Sequence, residues 1–550
     1  MIVGHYNDFP RVEALGRDFL PTFSSAEKVG RLQAREPAFR KLPIMYALID
    51  SNSFFVSCER LFRPDLADKP VVVLSSNDGC AISRSSEARA LGVHMGEPIF
   101  KLRQRFRVID GNLKRELRDK RYEIRREVMP QGGHQKVASG DTFSTLNSYL
   151  LRHNSAENAL VVFSANFELY GDISERISTL LTSITPHIEL YSIDEAFLDL
   201  SKLDIADYEA WGKAVRATIL KNIGIPVSVG IAPTKTLCKL ANHWAKTHEN
   251  TKGVFVVDIR DKNQELRREV VPQNGSQKVA SGDTVSNLNS YLLLLTSTSV
   301  ADIWGVGWRL APKLKAEGIF TALGLARMRP QRAQQLMGIH GRHMVYELNG
   351  TRCLPLQART KPQQMIARGR QFGKDTNDFT VVEAAVTALA NRATRELRRE
   401  GQLATHAAVV LRTNRLKPGY TTTFDKTRFY TPTADTGEIC SALIRTLSHN
   451  FQRGLMYHKA DVILYDLTPA ASIQTDVFGT VDLARHTRSQ ARMQATDALN
   501  AKHGPHTIRS AAELLSNAWR PRSNMLSPRY TSSWDELPAV KLRSNPSTKP

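Results

Sequence analysis

The stretch that most constrains the fold is Tyr191-Ser-Ile-Asp-Glu-Ala-Phe-Leu-Asp-Leu200, an apolar segment with two adjacent carboxylates, Asp194 and Glu195, in its middle. Ile188, Leu190, Ala196, Leu198 and Leu200 recur at period two, which predicts a strand. Carboxylates inside an apolar strand are costly to bury unless something offsets their charge, and a divalent cation does that well. A straight strand sends Asp194 and Glu195 to opposite faces, so the chain must turn or bulge near Ile193 for both to serve one site. The plain alternative is one exposed strand end and one surface acid. The pair also needs a third carboxylate. Ile44-Met-Tyr-Ala-Leu-Ile49 is a second buried-strand run, ending at Asp50 and followed by Ser51-Asn-Ser-Phe-Phe and a helical stretch to Glu59. An acid at the end of an apolar strand, then an aromatic turn, then a helix, suits a metal and phosphate site.

Charge points the same way. The 550-residue chain carries a formal net charge of +21, and its pI is near 9.8, which favours a polyanionic partner. No stretch reaches the ~20 apolar residues needed to cross a bilayer, so nucleic acid is preferred over membrane. Cys58, Cys80, Cys238, Cys353 and Cys440 form no CxxC pair and no zinc spacing, so reduced thiols in a cytoplasmic protein are expected. Residues 1–44 contain no apolar core of a secretory signal and read as an N-terminal extension, from an upstream start or a real arm.

Asp50-Ser-Asn-Ser-Phe-Phe and Ser192-Ile-Asp-Glu resemble the two palm motifs of Y-family DNA polymerases, within the UmuC-like branch. The resemblance runs from about Met45 to about Trp534 with two interruptions. It implies an α/β (α+β) multidomain fold, a right hand with palm, fingers, helix-hairpin-helix thumb and split βαβ little finger. It implies an error-prone translesion polymerase of DNA repair and SOS mutagenesis. Asp50, Asp194 and Glu195 would be the catalytic carboxylates holding two Mg²⁺, with the Ser51 carbonyl as an extra ligand. Phe54, Phe55, Ser83, Ser86, Arg89 and Lys246 match nucleotide-binding positions, and Phe55 matches the steric gate against ribonucleotides. Ser86 stands where some members carry tyrosine. Implied partners are primed DNA and dNTPs, a UmuD-type dimer, a RecA filament and the sliding clamp, with no membrane.

The rest of the chain fits this plan. The palm is expected at 45–62 and 160–258, where Val161-Val-Phe163 and Pro226–Ile231 read as strands, Gly171–Leu181 as a helix, and Pro233–Lys246 as a helix with proline in its first turn. Fingers are expected at 63–107. Ser83, Ser86 and Arg89, at i, i+3 and i+6, are expected on one helix face. A thumb at 299–358 holds Gly305-Val-Gly307 between helical segments, a hairpin suited to a DNA phosphate. A little finger at 364–467 reads βαββαβ, its first helix opening with a capping box at Thr380 and Glu383. Arg368, Arg370, Arg412 and Arg415 on or beside its strands are candidate phosphate contacts. From 468 to 550 the tail reads as polar and irregular. In it, Gln474, Val477 and Phe478 resemble a clamp-binding peptide, with valine where that pattern prefers leucine.

Two segments are near copies. Asp119–Leu151 and Asp261–Leu293 agree at 25 of 33 aligned positions, too many for chance. They read as insertions, within 108–159 and 259–298, between fingers and palm and between palm and thumb. The favoured origin is a duplicated piece of DNA, and an added DNA- or partner-binding module is the alternative. Two rival functions stand beside the polymerase. A nucleotide cyclase also uses paired carboxylates but needs neither the hairpin nor this charge. A catalytically impaired DNA-binding homologue disrupted by the insertions would not need Asp50, Asp194 and Glu195 intact.

Overall fold

The structure is a computed structural model that describes residues 45–111, 159–257, 259, 290–357, 363–471, 483–504 and 507–537. The chain forms two compact units, one comprising Met1–Asp68, Asn166–Arg359 and Pro528–Pro550, the other Lys69–Ala165 and Thr360–Ser527. Among the described residues no helix is long and apolar enough to cross a membrane, and all five cysteines are free.

The first unit is built on a five-stranded sheet in the order Ile188–Leu190, Glu195–Asp199, Tyr46–Ser51, Val227–Ala232, Val254–Val256. The Tyr46–Ser51 strand is central and buried at every position, which its unbroken apolar run requires. Helices Phe167–Ile184, Tyr208–Ile223 and Lys235–Thr247 accompany the sheet. The last begins after Thr234, whose hydroxyl accepts from the Leu237 amide, so Pro233 precedes the cap instead of opening the helix. It lies so close to the sheet that a Cβ on Gly230 would come within 2.3 Å of the Asn242 nitrogen. The Asn242 amide donates to the carbonyls of Leu48 and Ser228 at 3.2 and 2.9 Å, which fixes the rotation of the helix.

Helices Ser290–Ser297, Ala311–Ala316, Ala322–Ala326, Pro330–Met337 and Ile339–Leu348 share one core with the five-stranded sheet, running from Tyr46, Leu48 and Phe197 to Val300, Leu325 and Leu348. Ser290–Ser297 corrects the expected boundary of the second copy. Its Tyr291, Leu292, Leu294 and Leu295 are buried in that core, so the final residues of the copy are part of this unit's packed interior. The first copy, and 261–289 of the second, lie outside the described residues. A buried pair joins Lys235 to Glu189 at 2.5 Å, and Glu189 also accepts from the Gln357 amide at 2.7 Å. Residues 528–537 pack here too, with Tyr530 stacked on Phe62 at 4.5 Å.

The second unit holds two four-stranded sheets. One has the order Ala81–Arg84, Val71–Leu74, Ala159–Ser164, Arg107–Asp110. The strand expected in the palm at Val161–Phe163 therefore pairs elsewhere, parallel to Val71–Leu74 and Arg107–Asp110. An all-apolar strand advertises burial on both faces but not which sheet receives it. The other sheet has the order Met365–Thr376, Tyr457–Pro469, Gln402–Thr413, Thr422–Thr433, covered by helices Phe379–Arg399 and Thr436–Asn450, the split layout expected. The cap of the first helix is Asp378, accepting from the Thr380 amide at 2.8 Å, not Thr380. The second helix ends at Asn450, short of Gly454.

Among its described residues the tail holds more regular structure than its polarity suggests. Leu483–His503 is a 21-residue helix, since alanine, glutamine, arginine and leucine are good helix formers even without a continuous apolar stripe. Beyond it, Trp519 is buried in the little-finger core, and Met525 is buried in the core of the Val71–Leu74 sheet. Between them the Arg522 amide donates to the Asn77 side chain at 2.9 Å, and the Asn524 amide to Asp78 at 3.0 Å. Asn77 and Asp78 both hold positive φ, 66° and 49°, a strained turn that presents these acceptors.

Candidate active site

Asp50 closes the Tyr46–Ser51 strand and Glu195 opens the antiparallel Glu195–Asp199 strand, and the two are Cα partners in the ladder. The chain turns through 191–194, where the Tyr191 and Ser192 amides both donate to the Glu195 carbonyl at 3.0 and 3.1 Å. This is the turn near Ile193 that a shared site requires. The Ser51 amide donates to the Asp194 carbonyl at 2.9 Å, so all three acidic positions are tied by backbone hydrogen bonds. The Ser192 hydroxyl donates to Asp194 Oδ1 at 2.5 Å.

Charge in the site is partly offset by two lysines. Lys246 Nζ lies 2.5 Å from Asp50 Oδ1, and Lys239 Nζ lies 2.7 Å from both carboxylate oxygens of Glu195. Burial pushes the Asp50 carboxyl up to about 7, and the negative charges of Glu195 and Asp194 push the same way against the pull of Lys246. Burial likewise raises Asp194, with the Ser192 hydrogen bond opposing. Among the described residues no three His, Cys, Asp or Glu side chains are grouped as a metal cage. The donor set nevertheless fits a hard divalent cation, because three carboxylates on tied positions supply oxygen ligands and an excess of negative charge.

After Asp50 the chain enters the Phe54–Leu61 helix through Ser53, which adopts left-handed φ of 45°. A side chain there costs about 1 kcal/mol or more, and the sharp turn sets Phe55 in the first turn of the helix, just past the end of the strand. Phe55 is half-buried, its ring stacked on Tyr170 at 4.6 Å and edge-on to Phe167 at 5.9 Å. Tyr170 is fully buried and donates to Glu59, itself buried, at 2.7 Å. Phe54 is only 3% exposed, so its ring belongs to the core and only its backbone is left for the nucleotide contact expected from the sequence.

The remaining expected residues are distributed more widely. Ser83, Ser86 and Arg89 lie in the second unit. Ser83 sits on the Ala81–Arg84 strand while Ser86 and Arg89 sit on the Ser86–Ala90 helix, so they do not share a helix face. The helix starts only after Ser85, whose side chain caps it. Gly305 has φ of 92°, as the hairpin turn requires, and Gly307 accepts from the Leu310 and Ala311 amides. Arg368 is engaged by buried Glu396 and Arg412 by Asp461, whereas Arg370 and Arg415 are exposed. Gln474, Val477 and Phe478 lie outside the described residues. Sequence reasoning passed over Tyr170 and Glu59. The signal was present in Glu59, an acid four residues after Phe55 and therefore on the same side of the helix.

Residues 49–243 match the impB/mucB/samB family, residues 363–477 match its C-terminal domain, and residues 490–540 match a domain of unknown function. The chain is 35% identical over 501 residues to protein UmuC of Salmonella typhimurium, covering 90% of this chain and 100% of that protein. It is 32% identical over 501 residues to protein SamB of Salmonella typhimurium, with the same coverage. A solved Y-family DNA polymerase chimera has a similar fold, with a TM-score of 0.50 and 19% identity over 77% of this chain and 99% of that one.

Proposed function

This chain belongs to the impB/mucB/samB family, and from that premise we infer that it is an error-prone, template-directed translesion DNA polymerase whose chemistry rests on Asp50, Asp194 and Glu195. The observation that carries the assignment of the site is the pairing of Asp50 with Glu195 across one ladder, with Asp194 tied to Ser51 beside them. Y-family polymerases use divalent metals. Here Asp50, Asp194 and Glu195, with the Ser51 carbonyl, would hold two Mg²⁺. When bound, these ions would supply activation of the primer 3′ hydroxyl and charge neutralisation on the departing pyrophosphate.

The protein's own groups do the rest. The backbone ties between Ser51 and Asp194 fix the carboxylates before substrate arrives, so little reorganisation is needed at the transition state. Lys246 supplies positive charge for the triphosphate at the same strand end where it meets Asp50. Ser83, Ser86 and Arg89 match nucleotide-binding positions of the family, and a guanidinium fork such as that of Arg89 suits phosphate oxygens. Phe55 occupies the space a ribose 2′ hydroxyl needs and so excludes ribonucleotides. The hairpin at Gly305 and Gly307 offers backbone amides to a DNA phosphate, and exposed Arg370 and Arg415 add charge-assisted contacts. A UmuD-type dimer, a RecA filament and the sliding clamp are the proposed protein partners, the clamp through Gln474, Val477 and Phe478, in the cytoplasm.

Primer extension by purified protein with Mg²⁺, on plain and on lesion-bearing templates, tests this reading. Insertion opposite the lesion and synthesis past it are expected. No extension on either template would reject the polymerase reading. Extension that stops before every lesion would reject its translesion part.

A further inference from the structure

The Lys235–Thr247 helix carries two lysines seven residues apart, on one face, and each meets a different carboxylate. Lys246 accounts for Asp50. Lys239 has no part in the mechanism above, yet it is the more tightly held of the two. Its side chain is 15% exposed, against 32% for Lys246. Its ammonium donates to both oxygens of Glu195 at 2.7 Å. Three aromatic rings surround it on the other side, with Tyr191 at 4.4 Å, Trp304 at 5.7 Å and Phe197 at 5.8 Å from ammonium to ring centroid.

The rings brace one another. Tyr191 stands edge-on to both Phe197 and Trp304, with centroids 5.7 and 5.8 Å apart. Electron-rich ring faces attract the cation, so the ammonium is anchored independently of Glu195. An anchored donor contacting both oxygens of a carboxylate fixes its rotation as well as its place. The helix cannot turn to release it, because Asn242 and the bare Cα of Gly230 hold its backbone against the sheet. Trp304 comes from the thumb segment, so thumb docking and the attitude of Glu195 are joined through one side chain.

We propose that Lys239 is a positioning residue for nucleotidyl transfer, an ammonium held in an aromatic box that sets the orientation of Glu195 and moderates the negative charge of the site. The inference rests on the carboxylate-site reading above. It assigns Lys239 a task different from that of Lys246, since a lysine clasped by Glu195 and three rings is not free to follow a triphosphate.

The test compares Lys239→Met, Lys239→Gln and Lys239→Arg with the parent and with Asp194→Ala. Single-nucleotide incorporation gives kcat and KM, and electron paramagnetic resonance gives Mn²⁺ binding without nucleotide. Misplacing one reacting-site group is expected to lower kcat by roughly tenfold or more in the Met and Gln variants, with KM for dNTP within about threefold. Loss of a positive charge beside the carboxylates is expected to tighten Mn²⁺ binding by about threefold or more. The arginine variant keeps the charge and is expected to recover most of both. Using two neutral variants keeps the test open if one does not fold. A folded neutral variant with parental kcat, while Asp194→Ala is dead, overturns the role of Lys239 alone. Unchanged Mn²⁺ binding with an arginine variant as poor as the neutral ones would make Lys239 merely structural and would also overturn it. An active Asp194→Ala would instead overturn the carboxylate-site reading beneath it.

Discussion

Tyr170 offers the sharpest separation of two effects in one side chain. Its ring stacks on Phe55, the proposed sugar gate, at 4.6 Å and 21°, while its hydroxyl donates to buried Glu59 at 2.7 Å. Tyr170→Phe keeps the ring and removes the hydrogen bond. Glu59 is fully buried, so the loss is expected to cost about 1–3 kcal/mol of stability. Tyr170→Ala removes the stack as well. An aromatic pair is worth about 0.5–1.5 kcal/mol beyond its buried area. If all of that served to hold the Phe55 ring in place, ribonucleotide discrimination would relax by roughly two- to thirteenfold, at about 1.36 kcal/mol per decade. The assay is single-turnover incorporation of matched ribo- and deoxynucleotides, run beside thermal melts of each variant. Phe is expected to lower the melting temperature and leave discrimination intact, whereas Ala is expected to lower the melting temperature and relax discrimination. Equal discrimination in all three proteins would show that Tyr170 does not hold the gate. Equal relaxation in Phe and Ala would show that the hydroxyl, not the ring, holds it.

Asp50 predicts a pH signature. Its carboxyl is raised by burial and by neighbouring carboxylates to about 7, so between about pH 4 and 7 the folded protein binds a proton that the unfolded chain does not. In EDTA the stability contributed by this proton is therefore lost as pH rises through that window, and the parent is expected to melt progressively lower relative to Asp50→Asn. A pH-independent difference in melting temperature would contradict this. Trp519→Ala is expected to lower the stability of the little finger by about 3–5 kcal/mol in urea unfolding. Trp519→Phe is expected to cost less, because among the described residues the buried indole N–H has no hydrogen-bond acceptor to lose, and equal losses would refute that account. Deleting 119–151 together with 261–289 is expected to preserve melting temperature and primer extension, since connections change length at about 0.6 kcal/mol per doubling. Carrying the second deletion on to Leu293 removes buried Tyr291 and Leu292 and is expected to destabilise the thumb, so parental melting of the longer deletion would contradict the placement of that helix. A lost extension and a flatter salt dependence of DNA binding in the shorter deletion would instead make the copies DNA-binding modules.

The parts of this protein legible in the sequence are those in which apolar periodicity and an out-of-place charge coincide. Asp50, Asp194 and Glu195 stand out because each interrupts or ends an apolar run, and a turn near Ile193 followed from strand geometry alone. The little-finger layout was legible because its helices carry strong apolar faces. What sequence could not supply was pairing. The Ala159–Ser164 strand is uniformly apolar and carries no mark of its partner. Lys239 looks like any charge on a helix face, and only the register of helix against sheet puts it on Glu195. Trp519 and Met525 are isolated apolar residues in a polar tail, too few to set a period, yet each enters a core. Ser83 was misplaced because its i, i+3, i+6 spacing to Ser86 and Arg89 mimics a helix across a strand and a cap.

The central claim is that Asp50, Asp194 and Glu195 serve the chemistry and not merely the fold or DNA affinity. Asp194 is the most direct probe, because it is tied to the sheet through its backbone carbonyl, which substitution leaves in place. The measurement is primer extension by Asp194→Ala in Mg²⁺, with binding of primed DNA titrated on the same preparation. Affinity for DNA comes chiefly from phosphate contacts spread over the molecule. Extension is therefore expected to be abolished while DNA binding stays close to that of the parent. Substantial extension by a folded Asp194→Ala protein would remove Asp194 from the metal site and contradict the account.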